Sequence, residues 1–240
     1  MGGGATFLRA DAERHLTLLF ESSELVEIRG MGGRSASFDG RTLGVALPVK
    51  GGLFDDPGQA IAAAEALVLE GYAGIYVTLQ PLRTSLRARE SFGNLVRYGK
   101  GEAISAGDVE RVAHLLFDLD PVRPSGVCAT EEEHAAAKER ADAIAHYLRN
   151  LGWPDPLYRL DSGNGAHLVY DTRLQRSVED ASRLLARVLR ACAAIFDDDV
   201  VKLDTSVHNP ARVTRLAGCP NRKGRDDEAR PWRTATLSAA

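Results

Sequence analysis

Asp118 and Asp120 stand two residues apart in LLFDLDP, at the end of an apolar run that reads as a β-strand. Alternate residues of a strand face the same side, so both carboxylates share one sheet face while Phe117 and Leu119 take the other. Two carboxylates this close repel at neutral pH unless a cation lies between them, and a divalent metal is the economical answer. A lone D-x-D is also what a solvated strand end before Pro121 looks like. Asp204 adds weight, because it follows a second short apolar run, 200–203, expected to neighbour the Asp118 strand in the central pair of a sheet. Three carboxylates meeting there would hold two Mg²⁺ or Mn²⁺ ions, an arrangement suited to in-line phosphoryl or nucleotidyl transfer. The run Asp197-Asp198-Asp199 is another source of acids, read as a solvated helix-to-strand turn.

A second group of residues suits an anion. In SGNGAHLVY, Gly163 and Gly165 let the backbone approach a ligand, while Ser162, Asn164 and His167 offer polar groups that could hold a triphosphate. The same N-G also marks an ordinary hairpin turn. Arg212 and Arg215 lie one turn apart if the segment is locally helical, and would then face one anion with guanidinium geometry suited to phosphate. The net charge is -3, but the basic residues are clustered. Residues 205–225 carry Arg212, Arg215, Arg222, Lys223 and Arg225 with no acid, and 81–100 carry Arg83, Arg87, Arg89, Arg97 and Lys100 against Glu90 alone. Both stretches are candidate phosphate-facing surfaces, with Arg83, Arg87, Arg222 and Lys223 as the candidate DNA contacts.

These residues need elements to position them. Residues 8–20 read as a helix, 24–30 and 42–49 as strands, and Asp56-Pro57 opens a helix that Gly71 closes. The β-branched and aromatic run 73–79 reads as a buried strand, and 80–107 as a basic functional loop with a short helix. From 109 the pattern sharpens. A strand ends in the acids at 120, and Thr130-x-x-Glu133 is a capping box for a helix through Asn150. Strands at 157–160 and 166–170 flank the glycine turn, Ser177-x-x-Asp180 caps a helix to about Phe196, and 200–203 is the last strand. The order β-α-β-β-α-β is the split arrangement of ferredoxin-like and RRM-like folds.

Length and composition agree with this. The chain has 240 residues, 44% of them hydrophobic and 26% charged, which is ordinary globular balance. No apolar window approaches a membrane span and the N-terminus has no apolar signal core, so a soluble cytoplasmic protein is expected. Cys128, Cys192 and Cys219 are far apart, against a zinc ribbon or disulfide framework.

With LLFDLDPVRPSG at 115–126, RLDSGNGAHLVY at 159–170 and VKLDTSVHNPARVTRLAGCPNRKG at 201–224, in that order, the chain resembles the archaeo-eukaryotic primase (AEP) superfamily. The resemblance is to the small primase-polymerases of phages, plasmids and bacterial mobile elements, and covers 76–224 at least. It implies an α/β (α+β) core: an RRM-like catalytic unit at 108–240 fused to a smaller N-terminal αβ subdomain at 1–107, together one domain. It implies a DNA primase or DNA-directed polymerase using NTPs or dNTPs, with Asp118, Asp120 and Asp204 holding two Mg²⁺ or Mn²⁺ ions. His167, Arg212 and Arg215 would contact the triphosphate, and Gln80 would face the nucleotide or template. The family often has S-x-H where this chain has Gly165 two before His167, so hydroxyl help falls to Ser162. The implied partners are single-stranded DNA template and primer, with a helicase or other replication module, since the core ends soon before TATLSAA as in a catalytic domain of a longer protein. Two other classes fit parts of the pattern: a metal-dependent nuclease or D-x-D sugar transferase, and a non-catalytic RRM-like nucleic-acid binder. The latter displays stacking aromatics where this chain has aspartates.

Overall fold

The computed structural model describes residues 5–34 and 45–238. Its architecture is two five-stranded sheets facing each other across a cleft. The first runs β4 (Val96–Arg97), β2 (Lys50–Phe54), β1 (Val26–Gly33), β3 (Tyr72–Thr78), β9 (Val213–Arg215), antiparallel throughout. The second runs β12 (Thr236–Ser238), β6 (Tyr158–Asp161), β7 (Ala166–Asp171), β5 (His114–Pro121), β8 (Val201–Leu203). A two-stranded ribbon of β10 (Pro220–Asn221) and β11 (Arg233–Thr234) completes the strands.

The second sheet holds the β-α-β-β-α-β unit read from the sequence. Its helices, α3 (Glu131–Asn150) and α4 (Val178–Phe196), start where expected: Thr130 and Glu133 form the capping box, and the Ser177 hydroxyl accepts from the Asp180 N–H at 3.1 Å. Both helices pack on this sheet, burying Phe117 and Leu119 completely and leaving the face that carries Asp118 and Asp120 for the cleft. β8 does neighbour β5, with Leu119 opposite Leu203, but it is the edge strand; β5 and β7 form the centre.

The first sheet is backed by α2 (Pro57–Leu69), capped by the Asp56 carboxylate accepting from the Gln59 N–H at 2.8 Å, and by α1 (Arg9–Leu19), which packs on α2. The strand expected at 42–49 lies partly outside the described residues; the sheet strand is at Lys50–Phe54. Residues 80–107 are not an open loop. Leu82, Leu86 and Ile104 form a second small core with Leu25, Leu53 and Val109, and buried Glu27 pairs with Arg29 and the Tyr98 hydroxyl. Burial pushes the Glu27 carboxyl above its ordinary range, against the pull of Arg29.

The division at 107–108 does not separate the two layers. After β8 the chain crosses back and β9 pairs with β3, Tyr76 opposite Arg215, so residues from beyond 200 complete the N-terminal sheet. This also corrects the helical reading of 212–215, which is extended, Arg212 preceding the strand and Arg215 closing it. Gln80 is corrected too. It lies 3% exposed, its Oε1 accepting from the N–H groups of Ala113 and His114 and its Nε2 donating to the His114 carbonyl, so it staples β3 to β5. Among the described residues no helix is long and apolar enough to cross a membrane.

Candidate active site

The cleft between the sheets contains a cavity of about 260 Å³. From the second sheet it is lined by Asp118, Asp120 and His167, from the glycine turn by Ser162 and Asn164, and from the returning segment by Arg212, Arg215 and Lys223. The three separately weak sequence signals thus share one cavity. Arg222 lies outside it, donating to the Val68 carbonyl at 3.0 Å, and Arg83 and Arg87 also lie outside. Arg83 is exposed, whereas Arg87 is tied to Asp55 at 2.8 Å and to the Ser23 carbonyl at 3.0 Å.

Asp118 meets a histidine and Asp120 an arginine. Asp118 and His167 are direct partners in the β5–β7 register, and His167 Nε2 lies 3.2 Å from Asp118 Oδ1. On the other side of the ring, Nδ1 lies 3.1 Å from the buried Thr214 hydroxyl. A ring that accepts from Thr214 at Nδ1 and donates to Asp118 from Nε2 satisfies both contacts. Burial alone would raise the Asp118 pKa, but His167, Arg212 and Arg215 hold it below the usual carboxylate range, so the group is ionised at neutral pH. Asp120 is exposed and meets Arg123, whose guanidinium reaches Oδ1 at 3.3 Å and is anchored on the Pro121 and Val127 carbonyls.

Asp204 donates its backbone N–H to the Asp118 carbonyl at 2.9 Å, so the third carboxylate is next to the first in backbone terms. Its side chain is turned elsewhere: Oδ1 accepts from the Ser206 N–H at 2.8 Å and Oδ2 from Arg212 at 2.5 Å. Among the described residues no three metal-ligating side chains converge. The donor set nevertheless suits a hard divalent cation, with Asp118 and Asp120 side by side and ionised oxygen the only ligand type needed.

The glycine turn is closed by the Ser162 N–H donating to the Gly165 carbonyl and the Gly165 N–H to the Ser162 hydroxyl, both at 3.0 Å. It lies hard against β5: a Cβ on Gly165 would sit 2.2 Å from the Leu119 carbonyl oxygen. Asn164 Oδ1 accepts from the Ala129 N–H at 2.7 Å, leaving its Nδ2 buried without a partner among the described residues. Arg215 lies over the Tyr76 ring at 4.4 Å, donates to the Tyr76 hydroxyl at 2.9 Å through Nη2, and leaves Nη1 without a partner among the described residues. Two buried, unused donors in one cavity suit an anionic ligand.

Sequence reasoning missed Tyr76, Arg123, Thr214 and Asn221. Arg123 was within reach of the pattern, three residues after Asp120; Tyr76, Thr214 and Asn221 depend on β9 and β10, which carry no strand periodicity long enough to read.

No protein-family model matches the chain, and no curated protein matches it in sequence. Solved structures do resemble it. The AEP domain of the cyanophage S-2L primase-polymerase superposes with a TM-score of 0.54 at 18% identity, over 98% of this chain and 91% of that one. The primase RepB′ gives 0.46 at 15% identity, over 97% and 56%. The polymerase domain of Mycobacterium tuberculosis Ligase D, solved with DNA, gives 0.47 at 15% identity, over 94% and 78%. The fold resembles that of the cyanophage AEP domain, the fold class that the three sequence motifs implied.

Proposed function

Proceeding from the AEP fold, we propose that this chain is a nucleotidyltransferase, a primase-polymerase that joins nucleotides from NTPs or dNTPs to a 3′-hydroxyl on a single-stranded DNA template. One observation carries the reading: the cavity between the sheets sets two strand-borne carboxylates, Asp118 and Asp120, against His167, Arg212 and Arg215. That is an acidic end for cations beside a basic end for phosphates.

Asp118 and Asp120 would hold Mg²⁺ or Mn²⁺, joined by Asp204 once its carboxylate leaves Arg212. When bound, such ions neutralise triphosphate charge and acidify the attacking hydroxyl. Arg215 Nη1 and Asn164 Nδ2 donate to phosphate oxygens, and Arg212, released from Asp204, adds a bidentate grip. Those charge-assisted bonds strengthen as the leaving pyrophosphate gains charge. Thr214 fixes His167 so that its Nε2 proton stays at the carboxylate edge of the site. Lys223 and Arg83, both exposed, would follow template phosphates with sequence-tolerant, salt-sensitive contacts, with Arg222 beside them. Arg87 serves this surface indirectly, by bracing it on Asp55. A helicase or other replication module would be its partner, in the cytoplasm of a bacterial or phage-infected cell.

The test is a gel assay with single-stranded template, labelled nucleotides and Mg²⁺ or Mn²⁺, with and without primer, beside Asp118→Ala. Template-dependent products that vanish in the variant support the assignment. A folded wild-type protein that forms no product, or that degrades labelled DNA without nucleotides, would replace it with a binding module or a nuclease.

A further inference from the structure

Asn221 lies 3% exposed on β10 and lines the cavity, and nothing in the triphosphate reading employs it. Its amide orientation is determined, because Nδ2 donates to the Ser162 carbonyl at 2.9 Å. Oδ1 is therefore the free end, and it has no partner among the described residues. A buried acceptor left unpaired is costly, so a ligand in the cavity that brings it a donor gains by pairing it.

A triphosphate at neutral pH offers only acceptors, which suit Arg215 Nη1 and Asn164 Nδ2 and repel Asn221 Oδ1. The remaining donors on a nucleotide are base amines or imides and sugar hydroxyls. Base donors differ in kind and place among the four bases, and a template-copying enzyme must accept all four. Only the sugar presents the same donor each time. We propose that Asn221 accepts a hydrogen bond from a sugar hydroxyl of the incoming nucleotide, making it a specificity-determining residue; this rests on the nucleotide-binding reading of the cavity. The carbonyl of Ser162 holds the amide in place, so β10 reads the sugar while the arginines and Asn164 read the phosphates.

The test is calorimetric binding of ATP, 2′-deoxy-ATP, 3′-deoxy-ATP, dideoxy-ATP and inorganic tripolyphosphate to the wild-type chain and to Asn221→Leu, with Ca²⁺ present to prevent turnover. The wild type should bind dideoxy-ATP ~3- to 10-fold more weakly than ATP, the worth of one hydrogen bond. Asn221→Leu should bind ATP and dideoxy-ATP alike, with tripolyphosphate affinity unchanged. Whichever mono-deoxy analogue reproduces the loss identifies the hydroxyl. Equal wild-type affinity for ATP and dideoxy-ATP overturns the assignment even if the variant does not fold. So does a loss in Asn221→Leu that follows the base, compared across the four nucleoside triphosphates, rather than the sugar. If the wild-type chain binds no triphosphate of any kind, the nucleotide-binding reading itself falls, a result distinct from both.

Discussion

The Arg212 guanidinium holds Asp204 at 2.5 Å across the base of the segment that joins β8 to β9, pairing a carboxylate of the acidic end with an arginine of the basic end. Both side chains are about a third exposed, 38% and 30%, so solvent screens the attraction and the pair itself is worth only ~0–1 kcal/mol. Phosphate and cation together can therefore separate it at small cost.

Arg212→Ala should reflect this asymmetry. Its melting temperature should move by no more than ~3 °C, while triphosphate affinity falls ~10- to 100-fold through loss of a charged hydrogen-bonding partner. Thermal unfolding and calorimetric titration read the two quantities. A large drop in melting temperature with affinity intact would make Arg212 a strut.

Thr214 is predicted to act through His167. Thr214→Val keeps the shape and removes the hydroxyl that the ring accepts from, so the imidazole loses its fixed tautomer. The expected result is a ~5- to 20-fold fall in kcat with KM little changed, and a mixed His167 tautomer by ¹⁵N NMR. Thr214→Ser should restore both. An unchanged NMR signature in Thr214→Val would remove the positioning role.

Gly165→Ala should be among the most disruptive single-methyl changes. The new Cβ would meet the Leu119 carbonyl 2.2 Å away, an atom of the central strand that cannot retreat without breaking the β5 ladder. A loss of ~2–4 kcal/mol in urea unfolding is expected. A loss well under ~1 kcal/mol would mean that the turn can lift off β5.

His15 makes stability depend on pH. It is fully buried, its Nδ1 accepts from the Ala217 N–H at 3.0 Å, and burial, then His167 and His114, lower its pKa to about 3. The unfolded chain takes up this proton near pH ~6.5 and the fold does not. Stability from this group is therefore complete above ~6.5 and is lost progressively as pH falls towards about 3. His15→Gln, which preserves an acceptor for Ala217, should flatten the decline in urea midpoint between about pH 7.5 and about pH 5. An equal decline in both proteins would assign the acid sensitivity elsewhere.

Much of the second sheet and its helices was legible because their signals are local. The caps at Thr130 and Ser177 and the period-two burial around Asp118 act within a few residues, and the motif order conveyed the rest. The illegible parts depend on distant contacts. β2 carries Gly51 and Gly52, poor strand formers, yet a Cβ on Gly52 would lie 2.3 Å from the Asn94 carbonyl, so the close approach of a later segment dictates the residue. Gln80 reads as a polar group near a site, and only the position of β5 shows that its amide serves the backbone of Ala113 and His114. Arg212 and Arg215 stood out as a pair in the motif order, whereas the helical turn that would align them does not form. They share the cavity through an extended segment joining two sheets rather than through a helical turn.

The return of β9 to the first sheet governs the order in which the protein can be made. When residues up to 107 have left the ribosome, β3 still presents an unpaired edge, and its partner lies more than a hundred residues further along the chain. Closing that edge requires a contact between Tyr76 and Arg215, a long loop whose entropy must be overcome late. The nascent N-terminal half is thus exposed to unwanted strand pairing for most of translation, and the site is assembled in the same step that ends this exposure.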